Sequence, residues 1–270
     1  MKEKISILGI GWLGLPLAKK LTDIGYNVKG STTSKNKLEL LESNEIQPFQ
    51  IELSQDNIIG NIEGFLAEAD VLIINIPPKL RGNSSESFVE KIKLLIAKIE
   101  KLSVKKVLFI SSTSVYADAF PIVTINENII PNPDSESGKQ LLQTEDLLLL
   151  NKSFQTTILR FGGLLAEDRH PIKFLSGRSN VENPDAPVNL IHQKDCIGII
   201  VAILKQNKQG NDIYNAVAPQ HPTKKKYYHK KAENSNLPLP IFTKNKVSKG
   251  KLISSVKIET GLSYKFKYII

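Results

Sequence analysis

The stretch Ile5–Gly14, ISILGIGWLG, constrains this chain more than any other. A short β-branched and apolar run is broken by Gly9, Gly11 and Gly14. The spacing G-x-G-x-x-G asks for a strand, a turn too tight for a side chain, and a helix whose first backbone N–H groups can hold a pyrophosphate. In this reading Gly9 makes the turn, Gly11 admits a dinucleotide close to the backbone, and Gly14 lets the helix pack on its strand. Trp12 and Leu13 lie in the same turn and count with the glycines as cofactor-side residues.

The pattern that follows decides the fold class. Leu13, Leu17, Leu21 and Ile24 recur at helical spacing over 12–24, and Gly25 is placed to close the helix in a left-handed cap. Pro16 falls near the helix start, where its missing N–H costs little. Strands are expected at Tyr26–Ser31 and Ile46–Ile51, with a short helix near Lys35–Leu41 between them. Val71–Ile76 is a continuous apolar run of the kind covered by helices on both faces, and it ends in Pro77 and Pro78. An amphipathic helix at Ser84–Leu102, an apolar strand within KKVLFISSTSVY, a helix at Gly138–Leu150 and a strand at Gln155–Arg160 continue the alternation. Such alternation predicts an α/β fold with a Rossmann-type doubly wound parallel sheet.

After Arg160 the chain becomes rich in glycine and proline. The expected organisation is therefore a dinucleotide-binding domain over 1–160 and a small substrate-binding lobe over 161–270. Some elements of the lobe, the Lys194–Lys205 helix among them, return to the larger domain. Ligands of open α/β sheets sit at the carboxyl ends of the strands, which is where the lobe is expected.

Composition narrows the partners. No apolar run reaches the roughly 18 to 20 residues that span a bilayer, and the chain enters a strand directly, so a cytoplasmic protein without a membrane partner is expected. The lone Cys196 cannot make an internal disulfide or a cysteine metal cluster, and in CIGIIVAIL it reads as a buried, inert thiol; no metal site is expected. The net charge of +9 comes almost wholly from scattered lysines, the arginines being Arg81, Arg160, Arg169 and Arg178. That distribution reads as a solvated surface and not as a nucleic-acid interface. The densest cluster, Lys224–Lys226 with Lys230 and Lys231, serves at most to attract an anionic substrate.

Further blocks make the reading more specific. SSTSVYAD follows the fifth strand, SESGKQLLQTED lies on the next helix, and ILRFGGLLAEDRHP follows the sixth strand. NLIHQKDCIGIIVAIL and YNAVAPQHPTKKKYYHKKA complete the series. With these blocks in order, the chain resembles the extended branch of the short-chain dehydrogenase/reductase superfamily, among its atypical NAD-dependent epimerase/dehydratase-like members. The resemblance implies chemistry by three residues: a Tyr acid/base, a Lys four residues later that holds the nicotinamide ribose, and a Ser or Thr that orients the substrate oxygen. Ser112 matches the Ser/Thr position and Lys139 the Lys, whereas Ser135 stands where the Tyr is expected. A neighbouring ammonium can tune a phenol toward neutrality, but an aliphatic alcohol is too weak an acid to follow. Either Tyr116, His170 or His192 substitutes, or the chain binds a dinucleotide without using it well. The acidic pair of sugar-nucleotide dehydratases is replaced by Thr113 and Ser114, and Cys196 is misplaced for a nucleotide-sugar 6-dehydrogenase.

The remaining sites follow from position. Ser111 ends a buried strand at the carboxyl edge, and Ile76, Pro77 and Pro78 border the cofactor cleft. Arg169 and His170 are expected to meet a substrate diphosphate or carboxylate. His192 stands beside Asp195, which is expected to N-cap its helix. The tip of the second strand, KGSTTSKNK, has no carboxylate before Glu39, while Ser31, Thr32, Ser34 and Lys35 can meet a 2′-phosphate. NADP is therefore expected, with NAD the alternative. The functional expectation is an epimerase or oxidoreductase acting on a small anionic metabolite such as a nucleotide sugar. The alternative is a non-catalytic NADP(H)-binding sensor or regulatory module. A monomer or a homodimer is expected, the latter through the helices at Ser84–Leu102 and Gly138–Leu150.

Overall fold

A computed structural model describes residues 2–78, 86–206, 208–244 and 247–270. From the N-terminus run β1 (Lys4–Leu8), α1 (Gly14–Asp23), β2 (Asn27–Thr32), α2 (Leu38–Glu42), β3 (Gln47–Gln50), β4 (Glu52–Leu53), β5 (Ile58–Ile59), α3 (Ile62–Leu66), β6 (Val71–Ile74), α4 (Phe88–Lys101) and β7 (Lys106–Ser112). Then come β8 (Val123–Ile125), α5 (Glu136–Leu150), β9 (Gln155–Phe161), β10 (Gly163–Leu165), α6 (Ile172–Leu175), β11 (Leu190–His192), α7 (Gln193–Gln206), β12 (Asp212–Ala216), α8 (Lys224–Asn234), β13 (Lys251–Ile253) and α9 (Val256–Gly261).

The central sheet has seven strands in the order β12-β9-β7-β6-β1-β2-β3. The β1–β2, β1–β6, β2–β3 and β6–β7 pairings are parallel, so the strand order reverses direction between β1 and β6. That reversal opens the crevice in which doubly wound sheets hold ligands. β1 and β6 are apolar because helices cover both faces: Ile5, Ile7, Leu8, Leu72, Ile73 and Ile74 are all buried. Each such side chain contributes about 1.5–3 kcal/mol relative to exposure. The one polar member of β1, Ser6, satisfies its hydroxyl by donating to the Phe65 carbonyl (2.6 Å).

The chain divides into two compact units. The first comprises Met1–Val115, Pro133–Arg160 and Ile203–Ile213; the second comprises Tyr116–Asn132, Phe161–Ala202 and Tyr214–Ile270. In the second unit β10 pairs with β11 and β8 with β13, both parallel. Its apolar cluster gathers Leu165, Ile172, Val188, Leu190, Tyr227 and Phe242.

Several boundaries differ from the expected ones for local reasons. α1 starts at Gly14 and not at Trp12, because 9–13 is consumed by the turn; Pro16 then sits in the first helical turn, where no intrahelical partner is needed. Gly25 closes the helix at φ +88° as expected, its N–H donating to the Thr22 carbonyl (2.8 Å). β6 stops at Ile74, two residues early, because the Asn75 side chain turns to the glycine loop. α4 begins at Phe88 behind Ser87, whose Oγ accepts from the Glu90 N–H (3.3 Å). The expected start at Ser84 lies outside the described residues. The short elements β4, β5, α3, β8 and β13 carry too few residues to show a period in sequence.

Candidate functional site

Gly9 follows β1 at φ +103°, a conformation open to glycine and costly for other residues. A Cβ there would stand 2.5 Å from the Asn75 carbonyl oxygen and 2.8 Å from Ile76 Cγ2. The Gly9 N–H donates to Ser31 Oγ (3.0 Å), and the Asn75 side-chain amide donates to the Gly9 carbonyl (2.9 Å). Ile10 N–H donates to the Ser31 carbonyl (2.7 Å), fastening the turn to β2. At Gly14 a Cβ would overlap the Gly9 carbonyl oxygen, so the helix packs directly on the turn. Gly11 differs: it is exposed, and a Cβ there would meet nothing within 4 Å. Gly9 and Gly14 are thus required by the protein's own backbone, whereas among the described residues no packing contact requires a glycine at 11.

The helix start completes the cradle. α1 begins behind Leu13 with no side-chain cap, as do the short helices α2, α6 and α9, whereas Asn61, Ser87, Ser135 and Thr223 cap α3, α4, α5 and α8. An uncapped first turn at the carboxyl edge of a parallel sheet is suited to an anion. Trp12 is half-buried beside it, and Leu13 is buried beneath. Ile76 and Pro78 are half-buried and Pro77 is exposed, across the switch point.

At the tip of β2, Ser31 is only 2% exposed and its Oγ accepts from Gly9. Thr32 is also buried, and its Oγ1 accepts from the Ser34 N–H (3.2 Å). Among the residues read as 2′-phosphate contacts, Ser34 is half-exposed and Lys35 exposed. Glu39 lies further on, exposed in the first turn of α2.

The end of β7 holds a network the sequence reading missed. Ser111 Oγ donates to Glu145 Oε1 (2.5 Å), and Arg160 Nε donates to both oxygens of that carboxylate (3.1 and 3.0 Å). All three residues are buried. The Ser111 proton is therefore spent inside the unit. Ser112 is half-buried, and its Oγ accepts from the Ser114 N–H (3.1 Å), a role that leaves the hydroxyl proton uncommitted by that bond.

Helix α5 changes the reading of the expected Tyr–Lys pair. Ser135 is its N-cap, with Oγ accepting from the Gly138 N–H (3.1 Å). The helix buries Gly138, Leu141, Thr144, Glu145 and Leu148. At about 100° per residue, Lys139 points away from that face, and it is exposed. The pair four residues apart on or beside the buried face is Ser137, half-buried, and Leu141, buried. A Cβ on Gly138 would overlap the Ser114 carbonyl, which puts this first turn of α5 against the segment that follows β7. Helical phase, with Gly138, Leu141, Glu145 and Leu148 in register, was the signal that separates the two assignments.

In the second unit most expected site residues have internal partners. Tyr116 is fully buried, its hydroxyl donating to Asn215 Oδ1 (3.4 Å). His170 Nδ1 accepts from the Ile172 N–H (3.1 Å) at the start of α6, while Nε2 meets the Tyr227 hydroxyl (2.9 Å). Burial, with Lys231 and Lys173 nearby, lowers its pKa. Arg169 is exposed in the turn where its N–H and that of Ala166 exchange hydrogen bonds with each other's carbonyls.

His192, and not Asp195, serves the start of α7: its Nδ1 accepts from the Lys194 N–H (3.2 Å). Its ring stacks on Tyr268 with centroids 4.1 Å apart, and burial lowers its pKa although Glu167 opposes the shift. Asp195 has a different task from the expected cap. Fully buried, it accepts from the Tyr264 hydroxyl (2.8 Å) and from the N–H groups of Lys267 (3.0 Å) and Tyr268 (3.1 Å), tying down the C-terminal segment. Cys196 is buried in α7, and burial raises its thiol pKa well above the ordinary range. Among the described residues no helix is long and apolar enough to cross a membrane.

The glycine turn at the start of α1 and the switch-point position together define an NAD(P)-binding doubly wound α/β protein. The chain matches the model of the NAD(P)H-binding family over residues 9–207 and belongs to that family. It is 32% identical to Protein YeeZ of Escherichia coli (strain K12) over 268 residues, 98% of this chain and 96% of that protein. In structure it resembles the UDP-glucuronic acid 4-epimerase from Bacillus cereus in complex with NAD, with a TM-score of 0.80 at 18% identity over 98% of this chain and 92% of that one. It also resembles MoeE5 in complex with UDP-glucose and NAD, with a TM-score of 0.78 at 16% identity over 99% and 94%. The shared fold is that of short-chain dehydrogenase/reductase structures.

Proposed function

We propose that this protein is an NADP(H)-dependent oxidoreductase or epimerase acting on a hydroxyl or carbonyl of a small anionic metabolite, with a nucleotide sugar the leading class. The observation that carries the reading is the glycine turn at the β1–β6 switch point, held from both sides and open above Gly11. When bound, a nicotinamide dinucleotide supplies reversible hydride exchange with a substrate carbon. Gly9, Gly11 and Gly14 with the first turn of α1 hold its pyrophosphate. Ser34 and Lys35 meet a 2′-phosphate, a role favoured by the absence of a carboxylate before Glu39. Ser112 orients the substrate oxygen through its hydroxyl proton. The nucleotide sugars and NAD in the complexes of MoeE5 and of the Bacillus cereus epimerase support this substrate class.

A second reading, a non-catalytic NADP(H)-binding module, is favoured by α5. Its inward pair is Ser137 and Leu141, neither of which can act as a phenol acid/base or hold a ribose by charge. Calorimetric titration with NADPH and NADH, followed by a hydride-exchange assay over a nucleotide-sugar panel, separates the two. Tighter binding of NADPH with turnover of a panel member is the expected result. Binding without turnover on any member selects the module, and tighter binding of NADH rejects the cofactor preference.

A further inference from the structure

Gly9 is gripped by side chains from both neighbouring strands. Ser31 comes from β2 and Asn75 directly follows β6, and these strands flank β1 in the sheet. Ser31 Oγ takes the Gly9 N–H (3.0 Å), and the Asn75 amide takes the Gly9 carbonyl (2.9 Å). Both polar groups of the residue that turns the chain are thus held by side-chain hydrogen bonds.

We infer that Ser31 and Asn75 are positioning residues for the dinucleotide, acting through Gly9. The inference rests on the dinucleotide-binding reading above and deepens it. Glycine at φ +103° has several accessible conformations, and a turn that must find one of them on binding gives up affinity to ordering. The two side chains impose that conformation before any ligand arrives. They also explain residue type: the Gly9 carbonyl, which already accepts from the Gly11 N–H (3.0 Å), takes its second hydrogen bond from a side-chain donor, which Asn75 supplies and an aspartate would not. Asn75 further joins the turn to the helix, since a Cβ on Gly14 would lie 3.0 Å from its Nδ2. Ser31 then affects cofactor binding through the turn and not through the 2′-phosphate, consistent with its 2% exposure.

The test uses the full chain. Wild type, Asn75→Ala, Asn75→Asp, Ser31→Ala and the Asn75→Ala/Ser31→Ala double variant are titrated with NADPH and with NADH. Energy transfer from Trp12, the one tryptophan, to the reduced nicotinamide is followed, with melting temperature recorded in parallel. Each alanine is expected to weaken binding about three- to tenfold, the yield of one hydrogen bond, for both dinucleotides alike. Asn75→Asp is expected to weaken it more, and the double variant less than the product of the singles, because both act on one residue. Lower melting temperatures with wild-type affinity in the folded variants would overturn the inference. A wild-type chain that binds neither dinucleotide overturns the site reading itself, and that result is seen before any variant is compared.

Discussion

Glu145 on α5 and Arg160 on β9 form a buried ion pair, with Arg160 Nη2 2.5 Å from Glu145 Oε2 and the side chains 0% and 3% exposed. Ser111 adds a hydrogen bond to the same carboxylate, so the end of β7 is tied to both elements. Removing one partner strands a charge away from water. Glu145→Ala is expected to cost about 3–5 kcal/mol. The Glu145→Leu/Arg160→Met double variant is expected to cost clearly less than the single alanine, because no charge remains buried. Urea denaturation at neutral pH checks both, and equal losses would show that packing outweighs the charge.

Gly11 separates folding from binding. A Cβ there meets nothing within 4 Å among the described residues, so Gly11→Ala is expected to keep or slightly raise the melting temperature. Dinucleotide affinity is expected to fall at least tenfold, because the methyl group occupies the space into which the pyrophosphate must come. Gly14→Ala, by contrast, is expected to lose stability and binding together, since its Cβ overlaps the Gly9 carbonyl. Calorimetric titration and thermal melting on the same samples distinguish the two behaviours.

How far the sequence carried this reading depends on whether each signal was local. The glycine turn, the apolar β6 and the cap at Gly25 are written in neighbouring residues, and the structure agrees with them. Asn75 carries no signal in sequence, because its partner lies 66 residues away, on a backbone carbonyl that no motif marks. No sequence pattern pairs Glu145 with Arg160, which meet only once β9 lies beside α5. Asp195 resembled a helix cap because a helix follows it, yet its three partners come from 264–268. Lys139 has the spacing the family asks of a lysine, but spacing counted from Ser135 ignores the phase in which α5 turns its buried face.

Two of the four histidines predict a pH dependence of a definite sign. His170 and His192 each use Nδ1 as an acceptor at a helix start, which only the neutral ring can do. Burial lowers both pKa values, so the unfolded chain binds protons first as pH falls. Stability is therefore full above about pH 6.5, the unfolded imidazole value, and declines below it toward the folded pKa. His192→Asn preserves a capping acceptor without a titrating group. It is expected to reduce the fall in melting temperature between pH 8 and pH 5.5, and an unchanged slope would exclude His192 as a contributor.

Ser135 and Lys139 provide the sharpest separation between a helix start and a catalytic pair. Ser135→Ala removes the N-cap of α5 and is expected to cost about 1 kcal/mol. Lys139→Ala changes an exposed residue on the far face of the helix, and is expected to leave dinucleotide affinity within about twofold and stability within about 0.5 kcal/mol. The inward pair behaves differently. Ser137→Tyr places a phenol beside the buried face of α5, whereas Ser135→Tyr would only trade a cap for an exposed ring. If Ser137 and Leu141 replace the Tyr and Lys of the proposed oxidoreductase, Ser137→Tyr is expected to raise hydride exchange in the nucleotide-sugar assay above the wild-type level. A gain from Ser135→Tyr, or a large affinity loss from Lys139→Ala, would return the assignment to the other register.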